Sequence, residues 1–468
     1  MKRSVHTVLM FVLCLVLSLS GLHVGVSATR AADTGTWTQL PVYGGNVYSL
    51  AINPLTPTTL YAGTASGGVF RSTDSGDHWT AVNTGLSSPW VVSVGINPLT
   101  PTTLYAGTYS GGVFRSTDSG DHWTAVNTGL SDPRVIFLAV NPLTPTTLYA
   151  GTVGGGIFRS TDSGATWTAV NTGLNNADVR YIAINPTSPT TLYTGTDGNG
   201  VFRSTDSGAT WTAVNTGLTK QTVYSLAINP ATPSTLYAGT NGGVFRSTDS
   251  GATWTAVNTG LTTGWVVSVA INPLTISTLY AGTYGGGVFR STDNGDHWTA
   301  INTGLTNTKV QCVTIDPLTP ATLYAGTDGS VFRHEAKKQT VIVLKIGNSK
   351  FTVNGASTTL DSPPVIKNGR TLVPIRAIIE ALGGTVGWDG TAKKATVALG
   401  SATIELWIGK NAAKVNGVTT LIDATNDKVV PEIISSRTML PLRFISENLG
   451  CSVVWADATK TITITYQP

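Results

Sequence analysis

Residues 91–127 read VVSVGINPLTPTTLYAGTYSGGVFRSTDSGDHWTAVN, and this stretch decides the architecture because it recurs along most of the chain. It holds four short runs rich in Val, Ile, Thr, Tyr, Phe and Trp, at 91–97, 103–108, 112–116 and 123–127, parted by Gly, Pro, Asn and Asp. That is the composition of strands separated by tight turns. Trp79, Trp123, Trp167, Trp211, Trp254 and Trp298 mark the register, at intervals of 44, 44, 44, 43 and 44 residues. Four strands per period of about 44 residues predict one propeller blade per repeat.

The ends of the array predict how many blades there are. The first full unit begins near Val47, yet the chain before it already holds Thr36-Trp37-Thr38-Gln39-Leu40, a lone copy of the fourth strand. The seventh unit starts at Val310 and stops after Val331-Phe332-Arg333, lacking that strand. Pairing the two ends completes a seventh blade and removes exposed sheet edges. The expected fold is therefore an all-β seven-bladed β-propeller over residues 36–334, followed by a small C-terminal α+β domain of two similar halves.

Strands three and four of each unit are joined by segments such as Ser72-Thr-Asp-Ser-Gly-Asp-His-Trp79, recurring at Ser116, Ser160, Ser204, Ser247 and Ser291. The motif resembles the Asp-box, or BNR repeat, of sialidases, xyloglucanase-type glycosidases, sortilin-like receptors and photosystem II assembly factor-like proteins. The aspartates Asp74, Asp118, Asp162, Asp206, Asp249 and Asp293 are expected to accept from turn amides while the following Gly supplies a left-handed dihedral. Six copies in register point to a structural role. A calcium site shared by Asp74 and Asp77 is disfavoured because the second acid becomes Ala165, Ala209 and Ala252 elsewhere. His78, His122 and His297 sit in separate hairpins, which argues against a shared metal. Arg71, Arg115, Arg159, Arg203, Arg246, Arg290 and Arg333 obey the repeat and are read as structural too. No metal or cofactor is expected.

Function is sought where the copies disagree. Just before the first strand of successive units stand Asn46, Trp90, Arg134, Asp178, Thr222, Trp265 and Lys309, and between strands two and three stand Ala65, Tyr109, Val153, Asp197, Asn241, Tyr284 and Asp328. Both connections fall on one face of an up-and-down propeller, so variation concentrates on one rim. Trp90, Tyr109, Trp265 and Tyr284, with Arg134, Arg180 and Lys309, are the candidate ligand-binding residues, because amphipathic rings beside a few directed polar groups suit a glycan or an extended peptide. The rim acids Asp178, Asp197 and Asp328 are the candidate catalytic groups of a rival reading, glycoside hydrolysis, which needs paired carboxylates. The resembling xyloglucanase-type enzymes build their cleft between two propellers, whereas one ring is expected here. On that ground the chain is expected not to be an enzyme.

Residues 1–32 carry Lys2 and Arg3, an apolar run from Val8 to Leu19, then small residues around Ala28 and Ala31, as a cleaved signal peptide does. No later stretch approaches the ~20 apolar residues of a membrane span, so a secreted or cell-wall-associated protein is expected. Cys14 lies in that leader, leaving Cys312 and Cys451 as two isolated thiols. Residues 33–336 hold 11 Lys+Arg against 16 Asp+Glu, and residues 337–468 hold 15 against 9. Neither part has the dense basic patch of a nucleic-acid binder.

After a polar linker at 335–340, residues 341–468 repeat more weakly. Val353-Asn-Gly355 is echoed by Val415-Asn-Gly417, Arg370-Thr-Leu-Val-Pro-Ile-Arg376 by Arg437-Thr-Met-Leu-Pro-Leu-Arg443, and Trp388 by Trp455. Pro374 and Pro441 suit a first helical turn, and Ile375, Ile378, Ile379 and Leu382 form an apolar helix face ended by Gly383-Gly384. The pair of halves resembles the stalk domain named after the copper amine oxidase N-terminal region, common in secreted proteins of Gram-positive bacteria. The module contains no His, and the resemblance implies a wall anchor or spacer rather than copper chemistry. The expected function is a binding or scaffold protein whose partner is a polysaccharide or cell-surface protein; the alternatives are a glycoside hydrolase and an envelope assembly factor.

Overall fold

The computed structural model describes residues 35–175, 178–335 and 340–466; the expected leader at 1–32 and most of the expected linker at 335–340 lie outside the described residues. Six four-stranded antiparallel sheets follow one another in simple order, the first being Val47–Ile52, Leu60–Thr64, Val69–Ser72 and Thr80–Ala81. The seventh is made from both ends of the array. Thr36–Leu40 pairs with Val331–Glu335, from Thr36 opposite Glu335 to Leu40 opposite Val331, and beyond it come Thr322–Thr327 and Val310–Ile315. Each innermost strand packs on the next, and Val310–Ile315 returns to Val47–Ile52, so the circle is closed.

The core lies between blades. The second strand of each blade is buried from its Leu to its last Thr, as in Leu60–Thr64 and Leu104–Thr108, because both its faces meet a neighbouring sheet. This explains the repeated Leu-Tyr-Ala-Gly-Thr: small residues sit where two sheets approach most closely. A representative interface packs Tyr61 and Val69 of the first blade against Val91, Leu104, Phe114 and Trp123 of the second. Trp123 Nε1 donates 2.8 Å to Val82 O of the preceding blade, and Trp167, Trp211, Trp254 and Trp298 repeat that bond. Trp37, supplied by the amino-terminal strand, does the same to Ile301 O at 2.5 Å. The lone strand thus behaves as a full blade member.

The Asp-boxes are hairpins held from within and from the neighbouring blade. Asp74 Oδ1 accepts from Ser72 Oγ at 2.8 Å and from His78 N at 2.9 Å. His78, His122 and His297 bond through Nδ1 to the Asp of their own hairpin, where the other copies place Thr166, Thr210 and Thr253. The residue before the Gly, a serine in five boxes and Asn294 in the sixth, adopts positive φ as well, 61° at Ser75 against 95° at Gly76, so each tip carries two left-handed residues in succession. Its carbonyl is gripped from the preceding blade: Ser75 O accepts from Arg333 Nη1 at 3.0 Å and Tyr324 Oη at 3.2 Å. Where the box has a second acid, the same Arg reaches it, as Arg333–Asp77, Arg71–Asp121 and Arg246–Asp296. Arg71, Arg115, Arg159, Arg246 and Arg333 are therefore inter-blade clasps.

The C-terminal module is more interlocked than two consecutive halves. Its first strand, Thr340–Lys345, pairs with its last, Thr461–Tyr466, and the sheet Thr385–Asp389, Lys394–Leu399, Ala402–Trp407, Ala412–Val415, Val418–Leu421 mixes strands of both repeats. A four-stranded sheet joins the halves through Leu372 opposite Pro441 and Val373 opposite Leu440. Each half carries one short helix, Ile375–Ala381 and Leu442–Asn448, whose buried faces feed a shared core. Pro374 and Pro441 end the preceding strands and stand just before the helices, not within the first turn. Proline's missing N–H costs nothing there, since that donor has no helical partner. Among the described residues no helix is long and apolar enough to cross a membrane, and Cys312 and Cys451 are both free thiols.

Candidate functional site

The variable rim is built by one hydrogen bond repeated around the ring. The residue before each inner strand accepts from the amide of the variable loop residue: Tyr109 N to Trp90 O at 3.0 Å, Val153 N to Arg134 O at 3.0 Å, Asp197 N to Asp178 O at 3.0 Å, Tyr284 N to Trp265 O at 3.0 Å and Asp328 N to Lys309 O at 3.2 Å, with the remaining two blades alike. The two variable positions of a blade are thus side by side, which brings their side chains together at the channel mouth.

A second set of residues shares this mouth, and sequence reasoning missed most of it. Every inner strand has a register shift between its first and third residues, for example between Val47 and Ser49. The bulged residue is Tyr48, Val92, Ile136, Arg180, Tyr224, Val267 or Gln311, and all seven line a cavity of about 670 Å³. A bulge re-aims the extra side chain. Of these only Arg180 is among the candidates that the repeat comparison picks out, although their variation between repeats is the available signal.

Two aromatic groups result. On the second blade Trp90 stacks on Tyr109 at 4.3 Å, with Tyr48 at 6.5 Å from Trp90; on the sixth Trp265 lies 4.9 Å from Tyr284 and 6.1 Å from Tyr224. Trp90 and Trp265 remain 39% and 45% exposed, so part of each indole stays open to a ligand. Deeper in the channel Phe137 and Tyr181 pack at 4.1 Å, and burial pushes the Tyr181 phenol up to about 12. This pair occupies the position where four other inner strands carry a serine that accepts the neighbouring blade's amide, Ser49, Ser93, Ser225 and Ser268, and where the seventh blade carries Cys312.

The charged candidates are all engaged. Arg134 is clamped bidentately by Asp132, with both contacts at 3.0 Å, and also donates to Val153 O. Arg180 pairs with Asp197, whose other oxygen accepts from Thr222 Oγ1 at 3.2 Å. Asp328 accepts from Gln311 Nε2 at 2.7 Å and Tyr284 Oη at 3.2 Å, while Lys309 Nζ lies 5.6 Å from the Tyr284 ring centroid. Asp178 and Asp197 share a blade through their backbone bond, and Asp328 stands on the seventh blade. Asp132 and Gln311 are the polar partners that the repeat comparison overlooked. Among the described residues no group of three or more His, Cys, Asp or Glu is arranged to hold a metal.

With this geometry in hand, comparison with known proteins bears out both resemblances drawn from the motifs. Residues 328–378 and 352–464 match the family model of the copper amine oxidase N-terminal domain, and residues 155–241 match that of sortilin, neurotensin receptor 3. No curated protein matches the chain. Among solved structures, the Niastella koreensis GH74 enzyme superposes with a TM-score of 0.54 at 18% identity, over 85% of this chain and 75% of that one. The GH74 xyloglucanase from Xanthomonas campestris gives 0.52 at 13% identity, over 86% and 83%. YCF48 from Cyanidioschyzon merolae gives 0.51 at 16% identity, over 64% and 98%, and a second structure shows YCF48 bound to D1 peptide. At these identities the likeness shows the fold. It nonetheless corrects the expectation that the chain is not an enzyme: the argument from a single ring does not hold when the molecule superposes on GH74 enzymes over most of its length.

Proposed function

We propose that the propeller acts on a polysaccharide, seating a glycan chain across its aromatic mouth and hydrolysing it with carboxylates of the same rim. The observation that carries this reading is the convergence of Trp90–Tyr109 and Trp265–Tyr284 on one cavity, with Asp197 and Asp328 bonded to its lining residues Arg180, Gln311 and Tyr284 and Asp178 beside Asp197. Apolar ring faces take the C–H face of a sugar, while Arg180, Gln311 and the acids offer directed hydrogen bonds to its hydroxyls. Glycoside hydrolysis divides its work between a proton donor and a base or nucleophile on opposite sides of the scissile bond. Asp178 and Asp197 are the neighbouring pair, and Asp328 the third candidate. With the leader at 1–32, the place of action in this reading is outside the cell.

The test is release of reducing ends from xyloglucan, mixed-linkage β-glucan and arabinoxylan. The expected outcome is turnover that falls about 10²-fold or more in Asp178→Asn, Asp197→Asn or Asp328→Asn, the scale of a lost acid or base. A Trp90→Ala, Trp265→Ala double variant is expected to lose retardation in gels containing the substrate. Absence of turnover by the unaltered chain on all three substrates would sink the hydrolase reading. YCF48 bound to D1 peptide supports one competing occupant, a peptide, which would show itself as peptide binding abolished by the same double variant.

A further inference from the structure

The C-terminal module holds a cleft of its own, about 590 Å³ in volume, formed where the two halves meet. Its walls show where the halves stop being equivalent. The stretch 370–399 aligns without gaps on 437–466, Trp388 falling on Trp455 and Lys393 on Lys460. The second half has Phe444 where the first has Ala377, and Asp457 where the first has Gly390. Both changes face the cleft.

Phe444 and Trp455 are half-buried and pack their inner faces on the module's core. Lys460 Nζ is held 2.5 Å from Asp457 Oδ1 and lies 5.8 Å from the Trp455 ring centroid. From the first half, Arg370 reaches across to Asp423 at 2.8 Å, a carboxylate only 11% exposed and fixed further by Thr425 N and Oγ1 at 2.9 and 2.8 Å. The reciprocal pair, Arg437–Asp361, spans 3.4 Å with Asp361 69% exposed, so the same crosswise exchange is loose on the other side. A positioned guanidinium–carboxylate pair thus faces an aromatic floor on one side of the module.

We propose that this cleft is a saccharide-binding site for uncharged sugars, independent of the propeller mouth. Cations and anions along it are matched, since Arg370, Arg443 and Lys460 stand against Asp423, Glu447 and Asp457. A charged ligand would meet a like charge wherever it lay. A polyhydroxylated neutral one finds donors and acceptors fixed in advance for its diols and ring faces for its C–H surface. The site would give the module a physical means of holding the propeller on a polysaccharide.

The test uses the full chain carrying Trp90→Ala and Trp265→Ala, which removes the rim and keeps the two sites distinguishable. Affinity electrophoresis is run in gels containing xyloglucan, galactomannan, arabinoxylan or glycol chitin, with anionic polygalacturonate as comparison. Retardation in at least one neutral gel is expected, falling at least fivefold with added Trp455→Ala and at least twofold with Lys460→Gln, a surface change that leaves the fold intact. Trp388→Ala is expected to leave it unchanged. No retardation in any neutral gel, retardation in polygalacturonate alone, or retardation insensitive to both cleft variants would overturn the proposal.

Discussion

Gly85 shows how much of this fold rests on single backbone positions. Its φ is +85°, and a Cβ there would sit 2.1 Å from Trp123 O of the next blade; Gly129, Gly173, Gly217, Gly260 and Gly304 repeat the arrangement. The Trp amide of the following blade binds the carbonyl just before each of these glycines, as Trp123 N does Thr84 O at 2.8 Å, so the chain cannot retreat. Gly85→Ala is expected to destabilise by more than the ~1–3 kcal/mol of a left-handed non-glycine residue. Gly198→Ala, with φ +95° but open space around its Cβ, is expected to show the dihedral cost alone. Urea midpoints of the two variants check this, and equal losses would count against the close approach.

The Asp-box carboxylates make a second prediction at this scale. Asp74 is held at about 2, first by the His78 amide and then by its ring and by Ser72; Asp162 is held at about 2, first by the Thr166 hydroxyl and then its amide. Asp118, Asp206 and Asp249 are held equally low. In the unfolded chain an Asp titrates near 3.9. Folding therefore favours the ionised form, and the stabilisation is complete above roughly pH 4 and lost as pH falls towards 2. The melting temperature is expected not to fall from about pH 7 to 5, where the hydrogen bond to Asp74 lifts the His78 imidazole above its ordinary range and favours the folded chain on acidification, and to drop below about pH 4. A drop already complete by pH 5 would assign acid sensitivity to other groups.

Among the elements, the strand Thr36–Leu40 carries the closure of the ring. Trp37 is 3% exposed, within a cluster that includes Tyr280, Val288 and Phe332, and its bond to Ile301 O reproduces that of the internal blades. Trp37→Ala is therefore expected to cost about 3–5 kcal/mol, the range for emptying a buried aromatic site, and as much as Trp167→Ala. Denaturant unfolding of both variants decides it; a loss under about 1 kcal/mol for Trp37 alone would show the closing strand to be peripheral. The Arg71–Asp121 clasp is a smaller matter. With Asp121 54% exposed, an ion pair of this kind is worth about 1 kcal/mol or less.

At the scale of the whole molecule, one scaffold separates constancy from variation. The inter-blade faces repeat Leu-Tyr-Ala-Gly-Thr and the Asp-box because every interface solves the same packing problem, whereas the mouth is free to differ because its side chains line an open cavity rather than a packed interface between sheets. The seven blades and their closing strand were legible in the 44-residue pattern and in the complementary loose ends, since blade contacts are local and periodic. The candidate mouth was legible at Trp90, Tyr109, Trp265 and Tyr284, where copies differ outside regular strands. It was not legible at Tyr48, Tyr224 or Gln311, because strand alternation assigns such residues to a face and a bulge reassigns them. Asp132 escaped notice for a related reason: its partner Arg134 is two residues away, a spacing that says nothing until the loop turns the two side chains together.

Local composition and repetition alone were thus enough to define four-stranded blades, their number, the Asp-box hairpins and the doubled C-terminal module, for these follow from contacts between residues near in the chain or one period apart. Which side chains share a cavity, which arginine clasps which neighbour and how the two halves of the module exchange strands had to await the folded chain. Those outcomes depend on radial convergence around a closed ring and on pairing between distant segments, such as Thr340–Lys345 with Thr461–Tyr466. No one-dimensional pattern encodes such distances, because they are set only when all the sheets are packed at once.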